Sequence, residues 1–302
     1  MAFQKLPLSY SVNVVIFVVC LIAFKACMTS AGLGKKIAPI LTTAKEINSV
    51  LSSYIEKKKT LVLLLDFDGT LSNIVPVPAD AKIVPESKVA LTKLAKNKKV
   101  CVGIISGRLM QEVRDRVQIP NIIYTGNHGL EIEYPMREPF AYQMEPEIQA
   151  KYDELVAYLN TSLADGRAFV EDKKYSLTFH YRNVKKGEYE FFKNKAKRAI
   201  ESYGFKAEDA LLAVEGKPPI DWNKDKTVLH ILEQEFSSDW RTKVNVIYAG
   251  DDKADELVMK VLKGYGRTFR VSQDPIETYG DFRVPNPQTV TMILEALLKI
   301  KK

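Results

Sequence analysis

The sequence predicts an α/β fold in which a parallel, doubly wound sheet is interrupted by a smaller α+β insertion. Short apolar runs alternate with helical patterns up to about residue 135, and this alternation returns after Trp222. Between these parts, paired strand-like runs lie beside longer helical patterns. Strands that alternate with helices are typical of parallel sheets, whereas strand pairs beside helices are typical of α+β units.

The composition is that of an ordinary globular protein. The chain has 302 residues, of which 46% are hydrophobic and 27% charged, enough for one large domain or two modest ones. Its net charge of +7 favours an anionic partner, but the lysines are scattered and no base-reading motif accompanies them. We therefore do not expect the protein to bind nucleic acid. We also expect a monomer.

The N-terminus contains an apolar run over residues 12–24, interrupted only by Asn13. The run is shorter than the roughly 20 residues of a membrane-spanning helix, and small residues follow at positions 29–31. We interpret residues 1–31 as a signal peptide or, second, as a membrane anchor whose contact is confined to residues 12–24. A start codon placed too far upstream, which would leave a cytoplasmic protein, is the third interpretation.

The remaining elements follow in order. Apolar residues at three- and four-residue spacings predict a helical lead-in over residues 32–57. We assign residues 58–138 and 215–302 to the parallel-sheet core and residues 139–214 to an inserted cap. The core strands are predicted at 61–65, 99–105, 122–124, 244–249 and 268–271. The cap is predicted to contain helices at 146–163 and 187–203 and strands at 167–170, 175–182 and 210–214.

The first strand leads directly into Asp66-Phe67-Asp68-Gly69-Thr70. Side chains two apart on an extended chain point the same way, so both carboxylates can face one pocket. One carboxylate could attack an electrophile while the other donates a proton to the leaving group, and both could bind a divalent cation. The alternative is a pair of solvated aspartates in a tight turn.

A second acidic stretch, Gly250-Asp251-Asp252, follows the strand at 244–249. Its carboxylates could share a hard, oxygen-bound cation such as Mg²⁺ with Asp66 and Asp68. Alternatively, Asp252 or Asp255 caps the next helix. So many carboxylates need a positive partner, for which Lys224 is the candidate unless it is a surface lysine. Ser106 could donate to a phosphoryl oxygen or simply cap a helix.

These motifs, taken in order, resemble those of the haloacid dehalogenase superfamily of phosphotransferases. Within it, Ser106-Gly107-Arg108, Gly126-Asn127-His128-Gly129 and His180-Tyr181-Arg182 resemble the trehalose-6-phosphate phosphatases. The resemblance covers about residues 58–300. It implies a Rossmann-like core with a mobile cap, and Mg²⁺-dependent hydrolysis of trehalose 6-phosphate to trehalose and phosphate.

The resemblance also implies residue roles. Asp66 would form an aspartyl-phosphate and Asp68 would act as acid and then base, while Ser106 and Lys224 hold phosphate oxygens. Mg²⁺ would be bound by Asp66, the Asp68 carbonyl and Asp251, with Asp252 or Asp255 in support. The sugar would be bound by two sets of residues: Arg108, Asn127, His128 and Glu131 from the core, and Lys173, His180, Arg182 and Glu215 around the cap.

Three positions depart from the family pattern. Lys217 stands where the family has arginine after Glu215, Asp225 replaces the glycine after Lys224, and Ala254 replaces a threonine. None of these changes removes a catalytic group, but they leave the identity of the sugar undecided. The alternatives are a phosphatase or phosphomutase of the same superfamily acting on another sugar phosphate, and a sugar-phosphate-binding protein without activity.

Overall fold

The computed structural model describes residues 34–301. The interpretation of residues 1–31 as a signal peptide or anchor, including the apolar run at 12–24, falls outside these residues. None of the helices within 34–301 combines the length and apolar character needed to cross a bilayer.

Helices and strands alternate along most of the described chain. The helices are α1 (Ala44–Tyr54), α2 (Pro85–Ala95), α3 (Met110–Val117), α4 (Pro146–Ser162), α5 (Tyr189–Ser202), α6 (Lys224–Phe236), α7 (Trp240–Lys243), α8 (Lys253–Val261) and α9 (Pro287–Ile300). The strands before the cap are β1 (Lys36–Ile37), β2 (Thr60–Leu65), β3 (Val100–Ile104), β4 (Ile123–Gly126), β5 (Glu131–Glu133) and β6 (Phe140–Ala141). The remaining strands are β7 (Phe169–Asp172), β8 (Leu177–His180), β9 (Lys206–Ala210), β10 (Ala213–Lys217), β11 (Val244–Gly250), β12 (Gly266–Val271), β13 (Glu277–Thr278) and β14 (Phe282–Val284).

The central sheet has the strand order β14-β12-β11-β2-β3-β4-β5-β6. Its first six strands are parallel, and β5 and β6 add an antiparallel edge. In β2, Leu61, Leu63 and Leu65 pack into one hydrophobic cluster, whereas Val62 and Leu64 pack into another on the opposite face. A strand buried on both faces needs helices on both sides of the sheet. The predicted α/β core is confirmed.

The cap is an antiparallel sheet in the order β7-β8-β10-β9, with α4 and α5 on one face. Because side chains alternate along a strand, Leu177 and Phe179 pack against these helices while Thr178 and His180 line a cavity on the other face. The fold class therefore includes the expected α+β insertion.

The prediction of a single strand at residues 210–214 is wrong, because the end of β9, a turn and the start of β10 occupy these residues. The turn between them contains Leu212 in a left-handed conformation, with φ of 54°. Strand β9 has the sequence Lys-Ala-Glu-Asp-Ala and lies exposed at the sheet edge, so it lacks the apolar alternation that identifies a half-buried strand. The domain boundary predicted after Val214 falls inside β10, and the division into domains stays a prediction.

The helix predicted over residues 32–57 is shorter than expected. Thr43 begins α1 with a capping box to Glu46, so the helix occupies Ala44–Tyr54. The residues before it pair β1 with β13 instead. Arg283 binds the carbonyl of Ala38, which attaches this segment to the core.

Candidate active site

The two acidic motifs meet because their strands are neighbours. Strands β2 and β11 pair in parallel, with Leu65 opposite Ala249, and the Asp66 amide donates to the Ala249 carbonyl at 3.0 Å. Both strands therefore end at the same edge of the sheet, which is where open α/β sheets bind ligands. A Cβ atom at Gly69 would lie 2.2 Å from Oδ2 of Asp251, so only glycine permits this close approach.

Three carboxylates converge at this edge. Oxygen atoms of Asp66, Asp251 and Asp255 all lie within 4.8 Å of one another. The predicted ligand Asp252 is not in this group: its side chain accepts a hydrogen bond from the Asp255 amide and caps α8. Asp252 thus makes the helix-capping contact of the alternative interpretation, whereas Asp255 faces the cluster of carboxylates.

The electrostatics of the cluster fit a hard cation. Burial, together with the carboxylates of Asp255 and Asp252, raises the pKa of Asp251 to about 7. Burial and Asp252 likewise raise the pKa of Asp255 to about 6, and the pKa of Asp66 is raised well above its ordinary value for the same physical reasons. A divalent cation bound between these carboxylates would offset their mutual repulsion and favour their ionised form.

Lys224 is the positive partner of this cluster. It is the first residue of α6 and 1% exposed, and its Nζ lies 2.7 Å from Oδ1 of Asp66 and 2.8 Å from Oδ1 of Asp255. Burial opposes the charge, but the nearby aspartates outweigh it and raise the pKa of Lys224 well above its ordinary value. Lys224 is therefore a buried cation and not the surface lysine of the alternative interpretation.

Arg108 binds Asp68. Its Nε donates to Oδ2 of Asp68 at 2.6 Å and its Nη2 donates to Oδ1 at 2.8 Å, a bidentate pair that fixes the plane of the carboxylate. Nη2 also donates to the carbonyl of Pro78. Arg108 also lines the cavity between core and cap, and its predicted contact with the sugar stays a prediction.

A cavity of ≈ 900 Å³ separates the core from the cap. Most of the predicted site residues line it: Asp66, Asp68, Arg108, His128, Lys173, His180, Arg182, Glu215, Lys224, Asp251 and Asp252. Ser106, Asn127 and Glu131 lie outside its walls. Ser106 accepts a hydrogen bond from the Arg108 amide, and Asn127 donates to Glu131.

Side chains of the cap contact the core across this cavity. Nε2 of His128 lies 3.3 Å from the Glu215 carboxylate, and Nζ of Lys173 donates to the Gly107 carbonyl. Asn127 donates to the Lys173 carbonyl at 3.0 Å and accepts from Ser176 at 2.6 Å. The cap thus rests on the turn at 127–129.

Sequence reasoning assigned no role to several residues of the site, although it named Lys217 as a departure from the family pattern. Glu171 accepts from His180 at 2.7 Å, Lys217 bridges Glu208 and Glu215, and Tyr248 donates to Asp255 at 2.6 Å. Glu171 and Lys217 stand two positions from Lys173 and Glu215, so strand alternation could have identified them. Tyr248 carries no such signal, because an aromatic residue within an apolar strand is typical of a core.

Comparisons with known proteins agree on one family. A family model described as trehalose-phosphatase matches residues 64–279. A protein of Oryza sativa subsp. japonica named probable trehalose-phosphate phosphatase 3 is 31% identical over 263 residues, covering 81% of this chain and 71% of that protein. Trehalose-phosphate phosphatase B of Arabidopsis thaliana is 31% identical over 259 residues, covering 82% of this chain and 68% of that protein.

Solved structures share the fold. The C-terminal domain of Candida albicans trehalose-6-phosphate phosphatase matches with a TM-score of 0.71 at 22% identity, covering 87% of this chain and 98% of that one. The C-terminal domain of a Candida albicans trehalose synthase regulatory protein also matches, with a TM-score of 0.60 at 13% identity over 82% of this chain and 97% of that one. Proteins of different description thus share this fold, and function has to be argued from the site.

Proposed function

The chain belongs to the trehalose-phosphatase family, and from that membership we propose that it hydrolyses trehalose 6-phosphate to trehalose and phosphate. Family membership makes it a phosphoric monoester hydrolase with the haloacid dehalogenase fold, as the motifs predicted. The observation that carries the substrate proposal is the position of Asp66, Lys224 and Asp251 in a cavity whose opposite wall is a polar cap sheet.

In the first step, a carboxylate oxygen of Asp66 attacks phosphorus and the bond from phosphorus to the sugar oxygen breaks. Asp68 donates a proton to the departing oxygen. Both side chains line the cavity, which supports these roles. Lys224 contacts Asp66 and would hold a phosphoryl oxygen, with Ser106 as the second proposed donor.

In the second step, water attacks phosphorus of the aspartyl-phosphate while Asp68 takes the proton from that water. The bond from phosphorus to Asp66 breaks, and inorganic phosphate leaves. Splitting the hydrolysis into two displacements gives each a better nucleophile or leaving group than direct attack by water. Cap side chains exclude bulk water from the intermediate until product sugar has left.

We propose that Asp66, Asp251 and Asp255 hold Mg²⁺ together with the main-chain carbonyl of Asp68. When bound, the ion neutralises charge on the phosphoryl group. The support is the clustering of three carboxylate oxygens within 4.8 Å. Asp252 would act through its cap on α8, which fixes the backbone that carries Asp255.

The sugar would bind along the cap wall. Glu171, His180, Glu215 and Lys217 present charged or polar atoms to the cavity, as a substrate rich in hydroxyl groups requires. Arg108 lines the same cavity and would contact the sugar from the core side.

The test is phosphate release with Mg²⁺ over a panel of trehalose 6-phosphate, glucose 6-phosphate and phenyl phosphate, with a chelator as control. Preference for trehalose 6-phosphate supports the proposal. Equal turnover of several hexose phosphates would favour another sugar phosphatase. Binding of sugar phosphate without any release would indicate a protein that uses this fold for recognition alone.

A further inference from the structure

Thr227 connects the helix that carries Lys224 to the turn that carries His128. It lies three residues after Lys224 in α6 and is fully buried. Its hydroxyl donates to the main-chain carbonyl of His128 at 2.8 Å, with the Asn223 carbonyl more distant at 3.1 Å. A hydroxyl has only one proton to donate, and the shorter distance favours the His128 carbonyl as its acceptor.

The turn bound by Thr227 has an unusual backbone. Asn127 and His128 have φ angles of 52° and 56°, and Gly129 has a φ of 94°. Left-handed conformations of non-glycine residues persist only where their surroundings hold them. The amides of Asn127 and His128 donate to the carbonyls of Arg108 and Ser106, and the Thr227 hydroxyl donates to the His128 carbonyl.

Thr227 also fills the space beside Gly129. A Cβ atom at Gly129 would lie 1.9 Å from Oγ1 and 2.3 Å from Cγ2 of Thr227. The helix and the turn are therefore in direct contact through a hydroxyl and a methyl group.

The side chains of this turn reach the cap. His128 contacts Glu215, while Asn127 contacts both the Lys173 carbonyl and the Ser176 hydroxyl. The ring of His128 packs on Gly107, where a Cβ atom would come within 2.7 Å of it. The position of the turn thus decides where the cap rests on the core.

We propose that Thr227 is a positioning residue that couples the helix bearing Lys224 to the turn bearing Asn127 and His128, and thereby sets the discrimination of the enzyme for its sugar. Thr227 is not among the residues that line the cavity, so it would act on a bound sugar only through the turn. This inference rests on the proposed function, since it assigns the turn to sugar recognition. It predicts an effect on the sugar that is separable from phosphoryl transfer.

Two variants test it. Thr227→Val keeps the shape and removes the donor, whereas Thr227→Ser keeps the donor and removes a methyl group. Loss of this bond should lower kcat/KM for trehalose 6-phosphate by about five- to tenfold in Thr227→Val, mainly through KM, as expected for one buried hydrogen bond. Turnover of phenyl phosphate should stay within about twofold of the wild type, and Thr227→Ser should resemble the wild type on both substrates. Equal losses on both substrates, or no loss in Thr227→Val, would overturn the inference.

A measurement without substrate separates this inference from the proposed function. Amide hydrogen exchange at residues 127–131 and 173–176 should be faster in Thr227→Val than in the wild type and unchanged in Thr227→Ser. Unchanged exchange in Thr227→Val would contradict the coupling whatever the substrate is. If the wild type turns over another sugar phosphate faster than trehalose 6-phosphate, the proposed substrate is wrong. The hydrogen-exchange result still decides the role of Thr227 in that case. Thr227→Ala, compared with Thr227→Ser, replaces Thr227→Val if that variant does not fold.

Discussion

Nζ of Lys224 lies 2.7 Å from Oδ1 of Asp66, although the two residues are 158 positions apart in the sequence. Both side chains are buried, so neither charge is satisfied by water. A buried ion pair is strongly destabilised when one partner is removed, because the other charge is left uncompensated. The proposed nucleophile and its counter-charge therefore depend on each other for both stability and chemistry.

Replacing Asp66 by asparagine should abolish turnover and lower stability but leave the fold intact, because Lys224 keeps the Asp255 carboxylate as a partner at 2.8 Å. The amide cannot attack phosphorus, and loss of a nucleophile should lower kcat by at least about a thousandfold. Phosphate release and thermal unfolding measure the two effects. Asp80→Asn, at an exposed position at the end of a short 3-10 helix, is the matched control and should keep full activity. Turnover near that of the wild type in Asp66→Asn would refute the nucleophile assignment.

Tyr248→Phe should impair phosphoryl transfer for all substrates alike. The Tyr248 hydroxyl binds the same oxygen of Asp255 that Lys224 binds, so its removal leaves that carboxylate less well oriented. We expect kcat/KM to fall by about tenfold for both trehalose 6-phosphate and phenyl phosphate, with a loss of about 1 kcal/mol in stability. Tyr124→Phe removes a comparable buried bond to Ile119 and should affect stability alone. A selective loss on the sugar substrate would contradict this role.

The sequence predicted the parts of the fold that depend on strong local patterns. Buried strands such as β2 and β11 are continuous apolar runs, and their alternation with helices fixes a parallel sheet. Strands of two or three residues, such as β5 and β13, carry too few side chains to show a period. Strand β9 was missed because its exposed, charged residues suit a sheet edge and resemble a loop.

The site could be predicted from the sequence where an acidic motif directly follows the end of a strand. Asp66 and Asp251 follow strands whose register brings them together, and this can be anticipated from a parallel sheet. Which carboxylate turns inward depends on the first turn of α8, where Asp252 caps the helix and Asp255 points to Lys224. The contact of Arg108 with Asp68 and that of Thr227 with His128 arise from tertiary packing alone, for which the sequence carries no local signal.

Mg²⁺ should stabilise the protein more at about pH 8 than at about pH 5.5. An acid whose pKa is raised by folding stabilises the folded state below its unfolded pKa, and this contribution is lost as the pH rises through the folded pKa. For Asp255 and Asp251 the loss occurs as the pH rises through about 6 and about 7. The cation replaces the protons above that range and competes with them below it. Thermal unfolding with and without Mg²⁺ measures the difference, and Asp251→Asn should remove most of it.

His180→Ala should weaken discrimination between sugars more than reaction with a small aryl phosphate. His180 lines the cavity on β8, where it binds Glu171 and stacks on Phe169 at 4.8 Å. Its loss leaves the phosphoryl-binding groups of the core in place, so we expect KM for trehalose 6-phosphate to rise by about tenfold while phenyl phosphate is little affected. His230→Ala, outside the cavity, is the control of the same residue type. Equal losses on both substrates would argue against a cap that contacts the sugar.

Arg283→Met should destabilise the protein without changing its chemistry at low temperature. Arg283 is 6% exposed, and it donates to main-chain carbonyls of Ala38, Gln273 and Asp274, which join the segment before α1 to the loop after β12. Methionine would fill the volume but leave these buried acceptors unsatisfied, a loss of about 2–4 kcal/mol. Urea unfolding measures the change, with the exposed Arg198→Met as the control expected to differ little from the wild type. Arg283 itself does not line the cavity, although its neighbour across the strand pair, Arg270, does. We expect kcat/KM of the folded variant to stay close to that of the wild type, and a large loss of activity in a fully folded sample would show that this segment supports the site itself.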